Sequence, residues 1–236
     1  ILFRQTPLLA GFSMEVAEPG DVMLYDGAGP GIFIVRRQDR SLRAFLNVCP
    51  HRGARLVREA GKRNILSCPF HAWSFGTDGA LLRQPLAACF ERDEPVHLTP
   101  VPVAEKYGLV FIRATPFGEA IDVDEFLGPA AQLLEAFRLE AAPFVAKDSF
   151  LAQTNWKLAL DPGCEGYHVP ATHAQSIASQ LVPFVTIQDS FGLHHRYVSP
   201  QRDHMQAVGK AEEEWPDTQY GAAHYIFPNI VFSFTK

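Results

Sequence analysis

From residue 1 to about 115 the chain sets short apolar runs between Gly, Pro and Asp, the pattern of brief strands joined by tight turns. Strands are predicted over 21–25, 31–37, 42–48, 71–75 and 107–114, with turns at Gly27, Gly29-Pro30, Asp39-Arg40 and Thr77-Asp78-Gly79. Many short strands at this spacing predict a small antiparallel sandwich or barrel. Past Pro116 the period changes. Residues 122–141 carry Phe126, Leu133, Leu134 and Phe137 at helical spacing, and Gly128-Pro129 should break or restart that helix. A strand is expected over 144–152, a second helix from near Gln153, and strands over 181–187, 191–198 and 225–234, with a polar loop or helix around 201–215. The fold class is α+β: an all-β domain over 1–115, then a domain of antiparallel sheet and helices over 116–236.

Composition narrows the function classes. Of 236 residues 47% are hydrophobic, enough for a packed core in one large domain or two modest ones. A net charge of −5 without a basic run argues against nucleic acid. No apolar stretch approaches the ~20 residues of a membrane span, and no leader is visible, so a cytoplasmic location is expected. The chain starts at Ile1 rather than Met and stops just after a predicted strand, so it reads as part of a longer polypeptide.

The candidate chemistry starts at residues 47–73, NVCPHRGARLVREAGKRNILSCPFHAW. Cys49-Pro50-His51 and Cys68-Pro69-Phe70-His71 stand sixteen residues apart, each offering a thiolate and an imidazole. Cys2His2 suits tetrahedral zinc, but zinc pairs usually place like ligands together, as C-x2-4-C and H-x3-5-H. Here both pairs are mixed. C-x-H followed by C-x2-H suits a Rieske [2Fe–2S] cluster, in which Cys49 and Cys68 hold one iron and His51 and His71 the other. The prolines favour tight turns that point backbone N–H groups at the sulfurs. Cys89 and Cys164 are left over, and free thiols are the default in a reducing compartment.

A second constellation follows Asn155-Trp156-Lys157: Glu165, His168 and His173, spaced E-x2-H-x4-H. Five residues of regular helix would set the two imidazoles about 140° apart. Pro170 between them is expected to end the helix, letting His168 project from its last turn and His173 from the loop beyond. Two histidines and a carboxylate make the facial triad of non-haem Fe(II) oxygenases, with positions open for dioxygen. Taken alone, H-x4-H also fits two ordinary loop histidines.

Together these motifs resemble the alpha subunit of the Rieske non-haem iron oxygenases, the aromatic ring-hydroxylating dioxygenase superfamily. CPHRG and CPFHAW match its cluster loops, NWKLALD and EGYHVPATH its iron segment, and IFPN at 226–229 recurs there. The resemblance spans nearly the whole chain. It implies a Rieske domain and a helix-grip catalytic domain, with cluster ligands Cys49, His51, Cys68 and His71 and mononuclear iron ligands His168 and His173. Glu165 falls where the family has an acid, more often Asp, that bridges a cluster histidine of one subunit and an iron ligand of its neighbour. The third iron ligand, a carboxylate, is implied beyond residue 236. Also implied are a homotrimer or α3β3 assembly, O2 and a small-molecule substrate, and electrons from a ferredoxin or flavin reductase, with NAD(P)H acting only through that partner.

The reaction expected is hydroxylation, dihydroxylation or oxidative demethylation. Phe184, Phe191, Phe227, Phe232 and Phe234 favour an apolar or aromatic substrate, as in aromatic hydrocarbon catabolism, although most of them also suit core positions on strands. A Rieske electron carrier without oxygenase activity would explain residues 1–115 but leave Glu165, His168 and His173 without a role.

Overall fold

The computed structural model describes residues 2–27, 29–90, 95–143, 145–214 and 221–234. Two compact units form, Ile1–Phe126 with Gln132–Phe144, and Leu127–Ala131 with Val145–Lys236.

The first unit opens with a helical turn, α1 (Leu2–Gln5), then β1 (Leu8–Phe12), β2 (Asp21–Tyr25), β3 (Ile32–Arg36) and β4 (Leu42–Leu46). Seven shorter strands follow: β5 (Gly61–Lys62), β6 (Leu66–Ser67), β7 (Ser74–Phe75), β8 (Leu81–Arg83), β9 (Pro100–Val101), β10 (Val103–Lys106) and β11 (Leu109–Ile112). They make three antiparallel sheets, ordered β5-β2-β3-β4-β9, β1-β11-β10 and β6-β7-β8.

Alternation along the central strands explains the layering. Val22, Phe33, Val35 and Phe45 point to one face, into a core holding Cys49, Cys68, Trp73 and Phe75. Met23, Ile32, Ile34 and Ala44 point to the other, against Leu8, Val110 and Ile112 of the neighbouring sheet. With both faces covered, β3 is buried at every position and reads as a continuous apolar run. Its last residue, Arg36, is buried too. The guanidinium makes two bonds to Glu105 on β10, at 2.6 and 2.7 Å, and its Nε donates to the carbonyl of Val16 at 2.7 Å.

Two strand expectations in this unit shrink for local reasons. The strand expected over 107–114 starts only at Leu109, because Tyr107 and Gly108 both take positive φ, 57° and 74°, and form the turn between β10 and β11. Of 71–75 only Ser74–Phe75 is strand, because the preceding residues close a ligand loop. The helix over 122–141 is broken as expected: Gly128, at φ 53°, separates α2 (Val123–Leu127) from α3 (Ala130–Ala136). The Asp122 carboxylate accepts from the N–H groups of Asp124 and Glu125 at the start of α2.

In the second unit the strand expected over 144–152 is absent among the described residues, Phe144 lying outside them. Val145, Phe150 and Leu151 are 89%, 93% and 88% exposed, and no described strand pairs with them. The second helix, α4 (Trp156–Leu160), starts where the Asn155 side chain accepts from the N–H of Lys157 at 3.1 Å. A 3-10 turn over Asp161–Cys164 and the helical turn α5 (Val169–Thr172) follow.

An antiparallel meander completes the unit: β12 (Ile187–Phe191), β13 (His194–Ser199), β14 (Gly221–Ile226) and β15 (Ile230–Phe234), in that order. The strand expected over 181–187 reduces to a bridge from Leu181 to Gln201, and β12 begins at Ile187. Where one strand was expected over 225–234 there are two. Pro228 has no N–H for a ladder, and a cis Phe227-Pro228 bond sits in the turn joining β14 to β15. Residues 201–215, expected as loop or helix, hold 3-10 turns over Arg202–Gln206 and Glu212–Glu214, with Trp215 outside the described residues. No described helix is long and apolar enough to cross a membrane.

Candidate active site

The two cysteine loops of the first unit close in the same way. The N–H of Cys49 donates to the carbonyl of Ala54 at 2.8 Å, and its carbonyl accepts from Gly53 at 2.9 Å. The N–H of Cys68 donates to Trp73 at 2.7 Å, and its carbonyl accepts from Ala72 at 3.0 Å. Each loop thus spans six residues with a left-handed residue at the fifth, Gly53 at φ 74° and Ala72 at φ 57°. The sulfurs turn inward, Cys49 being 2% and Cys68 3% exposed, while Pro50, Arg52, Pro69 and Phe70 form exposed tips.

The four candidate ligands meet as two like pairs. The thiol of Cys49 has that of Cys68 as a close neighbour, and the rings of His51 and His71 lie 4.6 Å apart. His51 also stacks on buried Trp73 at 4.7 Å, the planes within 4°. Burial and the neighbouring Cys68 raise the Cys49 thiol above its ordinary range, against the backbone N–H groups of His51 and Arg52 that point at its sulfur. A thiolate here therefore needs positive charge beside it. Nδ1 of His71 is buried with no hydrogen-bond partner among the described residues. Nor do three His, Cys, Asp or Glu side chains there gather as ligands for a single ion, as a four-ligand zinc site would require. Two sulfurs together and two imidazoles together fit a two-iron cluster.

In the second unit, His168 and His173 bracket α5. His168 is its N-cap and His173 its C-cap, which sets their rings 5.3 Å apart. Pro170 sits in the first turn of α5, where its missing N–H costs nothing. Pro170 thus opens a helix after His168; the expectation that it ends one is corrected. Glu165 Oε1 is hydrogen-bonded to Nδ1 of His168, and Oε2 accepts from the N–H groups of Tyr167 and His168. Burial alone would raise the Glu165 carboxyl, but those bonds outweigh it and hold the group below its usual range. With Nδ1 occupied, Nε2 remains as the ligand atom of His168. Both histidines and Glu165 line a cavity of about 220 Å³, floored by Tyr197, Ala223 and Ser233. Tyr197 pairs with Ala223, and Ala223 with Ser233, across three strands. Two imidazoles steered by one carboxylate, beside a cavity, fit a mononuclear iron.

These arrangements can be set beside known proteins. Residues 7–103 match the Rieske [2Fe-2S] domain, and residues 135–236 match the ring hydroxylating alpha subunit (catalytic domain). The chain belongs to the Rieske non-haem iron oxygenase alpha subunits. These carry a Rieske cluster and a mononuclear iron. The carnitine monooxygenase oxygenase subunit of Escherichia coli (strain K12) is 34% identical over 177 residues, covering 73% of this chain and 47% of its own length. The glycine betaine monooxygenase oxygenase subunit of Pseudomonas aeruginosa (strain UCBPP-PA14) is 32% identical over 184 residues, covering 76% and 42%. Chlorobenzene dioxygenase subunit alpha of Cupriavidus sp. (strain PS12) is 33% identical over 202 residues, covering 80% and 44%. This alpha-subunit chain thus spans about half the length of the curated relatives it matches. Among solved structures, a quaternary ammonium Rieske monooxygenase described for carnitine oxidation and inter-subunit electron transfer superposes with TM-score 0.84 at 26% identity, covering 98% of this chain and 62% of that one.

Several contributors were not anticipated from the sequence. Buried Asn47 ties the first cysteine loop down: its amide donates to the carbonyl of Val57 at 2.7 Å and accepts from Leu56 and Val57 at 3.0 and 2.8 Å. Tyr197 was also missed as part of the site. Asn47 stands two residues before Cys49, which is the one sequence signal it had. None of the phenylalanines from which an apolar pocket was expected lines the cavity beside His168 and His173, among the residues described. Phe184 instead faces Tyr167, ring centroids 5.9 Å apart.

Proposed function

We propose that this chain belongs to an oxygenase subunit that uses O2 and reductase-supplied electrons to oxygenate a small quaternary ammonium compound. The observation that carries this reading is the cavity lined jointly by His168, His173 and Glu165. Residues 1–115 serve as the cluster domain and 116–236 as part of the catalytic domain. Cys49 and Cys68 hold one cluster iron, His51 and His71 the other, and His168 and His173 the mononuclear iron, its third ligand coming from further along the polypeptide. When bound, these centres supply one-electron transfer and an open position for dioxygen.

The protein's own groups do the positioning. Glu165 fixes the tautomer and the orientation of the His168 ring. Its side chain is still 40% exposed, so the carboxylate can reach a cluster histidine of a neighbouring subunit. That supports a homotrimer or α3β3 assembly in which electrons cross between subunits, fed by a ferredoxin or flavin reductase.

For the substrate, the cavity lining holds, among the described residues, one carboxylate, no Lys or Arg, and small or hydroxyl-bearing side chains at its floor. A cation is accommodated there more readily than an anion. The carnitine and glycine betaine monooxygenase relatives point the same way. Hydroxylation of a carbon next to nitrogen takes one oxygen atom of O2, two electrons and two protons, and releases water. The resulting carbinol then breaks its C–N bond to give an amine and an aldehyde.

The test is O2 uptake and product analysis with the full-length subunit and a reductase, comparing trimethylammonium compounds with aromatic hydrocarbons. Turnover of the former is expected, with three irons per chain. Turnover of aromatics alone would refute the substrate class. Two irons per chain and no uptake would reduce the protein to an electron carrier.

A further inference from the structure

The loop that carries Glu165 and His168 is seated on the sheet at two glycines. An ideal Cβ on Gly163 would lie 3.0 and 3.1 Å from the methyls of Val231 on β15, a tight contact that a small shift relieves. At Gly166 the approach is closer: a Cβ would run into Tyr197 Oη and lie 2.6 Å from its Cζ. The phenol therefore occupies the space any side chain at position 166 would need. Gly166 does not have positive φ, so the requirement is for space and not for conformation.

Tyr197 cannot easily yield. It is 7% exposed, and its hydroxyl shares a 2.8 Å hydrogen bond with Ser199, itself 5% exposed. Both residues stand on β13, which is paired on either side, with Tyr197 opposite Gln188 and Ala223. One residue before Gly166 is Glu165, whose carboxylate holds Nδ1 of His168, two residues after Gly166.

We propose that Tyr197 is a positioning residue: by seating Gly166 on its hydroxyl end, it sets where Glu165 and His168 stand for the mononuclear iron. The proposal rests on the iron reading above. Tyr197 touches neither metal nor dioxygen in this role; it acts through the loop. The pair Gly166 and Tyr197 therefore behaves as one unit, and a side chain added at 166 is tolerated only when the ring at 197 is cut back.

The test is a double-mutant cycle on the full-length subunit with Gly166→Ala, Tyr197→Val and the two combined. Mononuclear iron is read from the EPR signal of its nitric oxide adduct, and the Rieske cluster from its visible absorbance. Gly166→Ala is expected to lose at least about tenfold of the nitrosyl signal while cluster absorbance per chain stays the same. The combined variant is expected to lose less than the product of the two single losses. Tyr197→Phe, which keeps the ring and removes the bond to Ser199, is expected to lose less than Tyr197→Val. A nitrosyl signal that survives Gly166→Ala, or single losses that simply multiply, overturns the positioning role alone. Absence of that signal from the wild-type subunit refutes the iron reading, and the role with it. If Gly166→Ala fails to fold, cluster absorbance falls too, and the Tyr197→Val and Tyr197→Phe comparison then decides: equal and negligible losses overturn the proposal.

Discussion

Cys49 and Cys68 are 2% and 3% exposed and belong to a core with Val22, Phe33 and Phe75, whereas Glu165 and His168 keep 40% and 24% of their side chains in solvent. The cysteine loops are closed by their own backbone, two hydrogen bonds each, and share a core with β3, a strand buried at every position. The histidine pair instead hangs on a four-residue helix whose shape depends on Pro170, one carboxylate and the seat at Gly166. Both arrangements place two imidazoles about 5 Å apart, at 4.6 and 5.3 Å. A site inside a core can hold its geometry through packing. A site at the edge of a cavity, where a substrate must enter, has to hold it with a few specific contacts. Single substitutions should therefore act differently in the two places.

The largest effect is expected at the exposed site. His168→Ala should abolish turnover while the visible spectrum of the cluster persists, since the cysteine loops do not depend on that residue. Oxygen uptake with the reductase, read beside cluster absorbance, checks this. Product formation by the variant would show that His168 holds no iron. Glu165→Gln is milder. The amide can still bond to His168, so both metals should stay bound, while reoxidation of the reduced cluster slows by roughly ten- to a hundredfold, the usual range for a ligand's supporting partner. Stopped-flow traces that match the wild type would remove Glu165 from the electron route.

The same contrast explains what the sequence revealed. The cluster ligands were legible because two mixed Cys/His pairs flanked by proline have few other uses. Strand β3 was legible because a strand covered on both faces reads as an apolar run, and β2 and β4 because apolar residues dominate them. The spacing of Glu165, His168 and His173 was legible, but the local shape was not. Pro170 can end one helix or begin another, and only the chain geometry makes His168 an N-cap. Apolar residues at 145–151 imitate a strand, yet no described strand pairs with them, and pairing is not written in a segment's own composition. Tyr197 lay hidden because its partner, Gly166, is distant in sequence and has no side chain to signal the contact.

Within the buried site, Asn47 offers a smaller and sharper test. Replacing it by Leu strips the N–H groups of Leu56 and Val57 of their acceptor. The carbonyl of Val57 keeps the Arg55 side chain as a donor at 3.0 Å, so two groups are left wanting and not three. A loss of about 2 kcal/mol in stability follows, seen as a lower urea midpoint for bleaching of the cluster. Nitric oxide binding at the mononuclear iron should not change before that midpoint. A variant as stable as the wild type would show that water replaces the amide, and that the loop is less sealed than its burial suggests.

The smallest effect comes from a difference in backbone between the two closed loops. At the matched fifth position one has Gly53 and the other Ala72, both left-handed. A left-handed alanine costs roughly 1–2 kcal/mol in sterics, and replacing it by glycine gives back about 0.4–1 kcal/mol through the freer unfolded chain. Ala72→Gly should thus stabilise the cluster unit by about half to one kcal/mol, and Gly53→Ala should destabilise it by a similar amount. The reciprocal case is clean, because a Cβ on Gly53 would meet nothing within 4 Å, so its whole cost lies in the backbone. Ala72 is itself exposed, so its methyl has little packing to lose. Urea midpoints of the two single variants and the double, at unchanged slope, give the comparison, and the double should return close to the wild type. If Ala72→Gly proved destabilising, the two loops would not be backbone equivalents, and the second would need the methyl for a contact that the first does without.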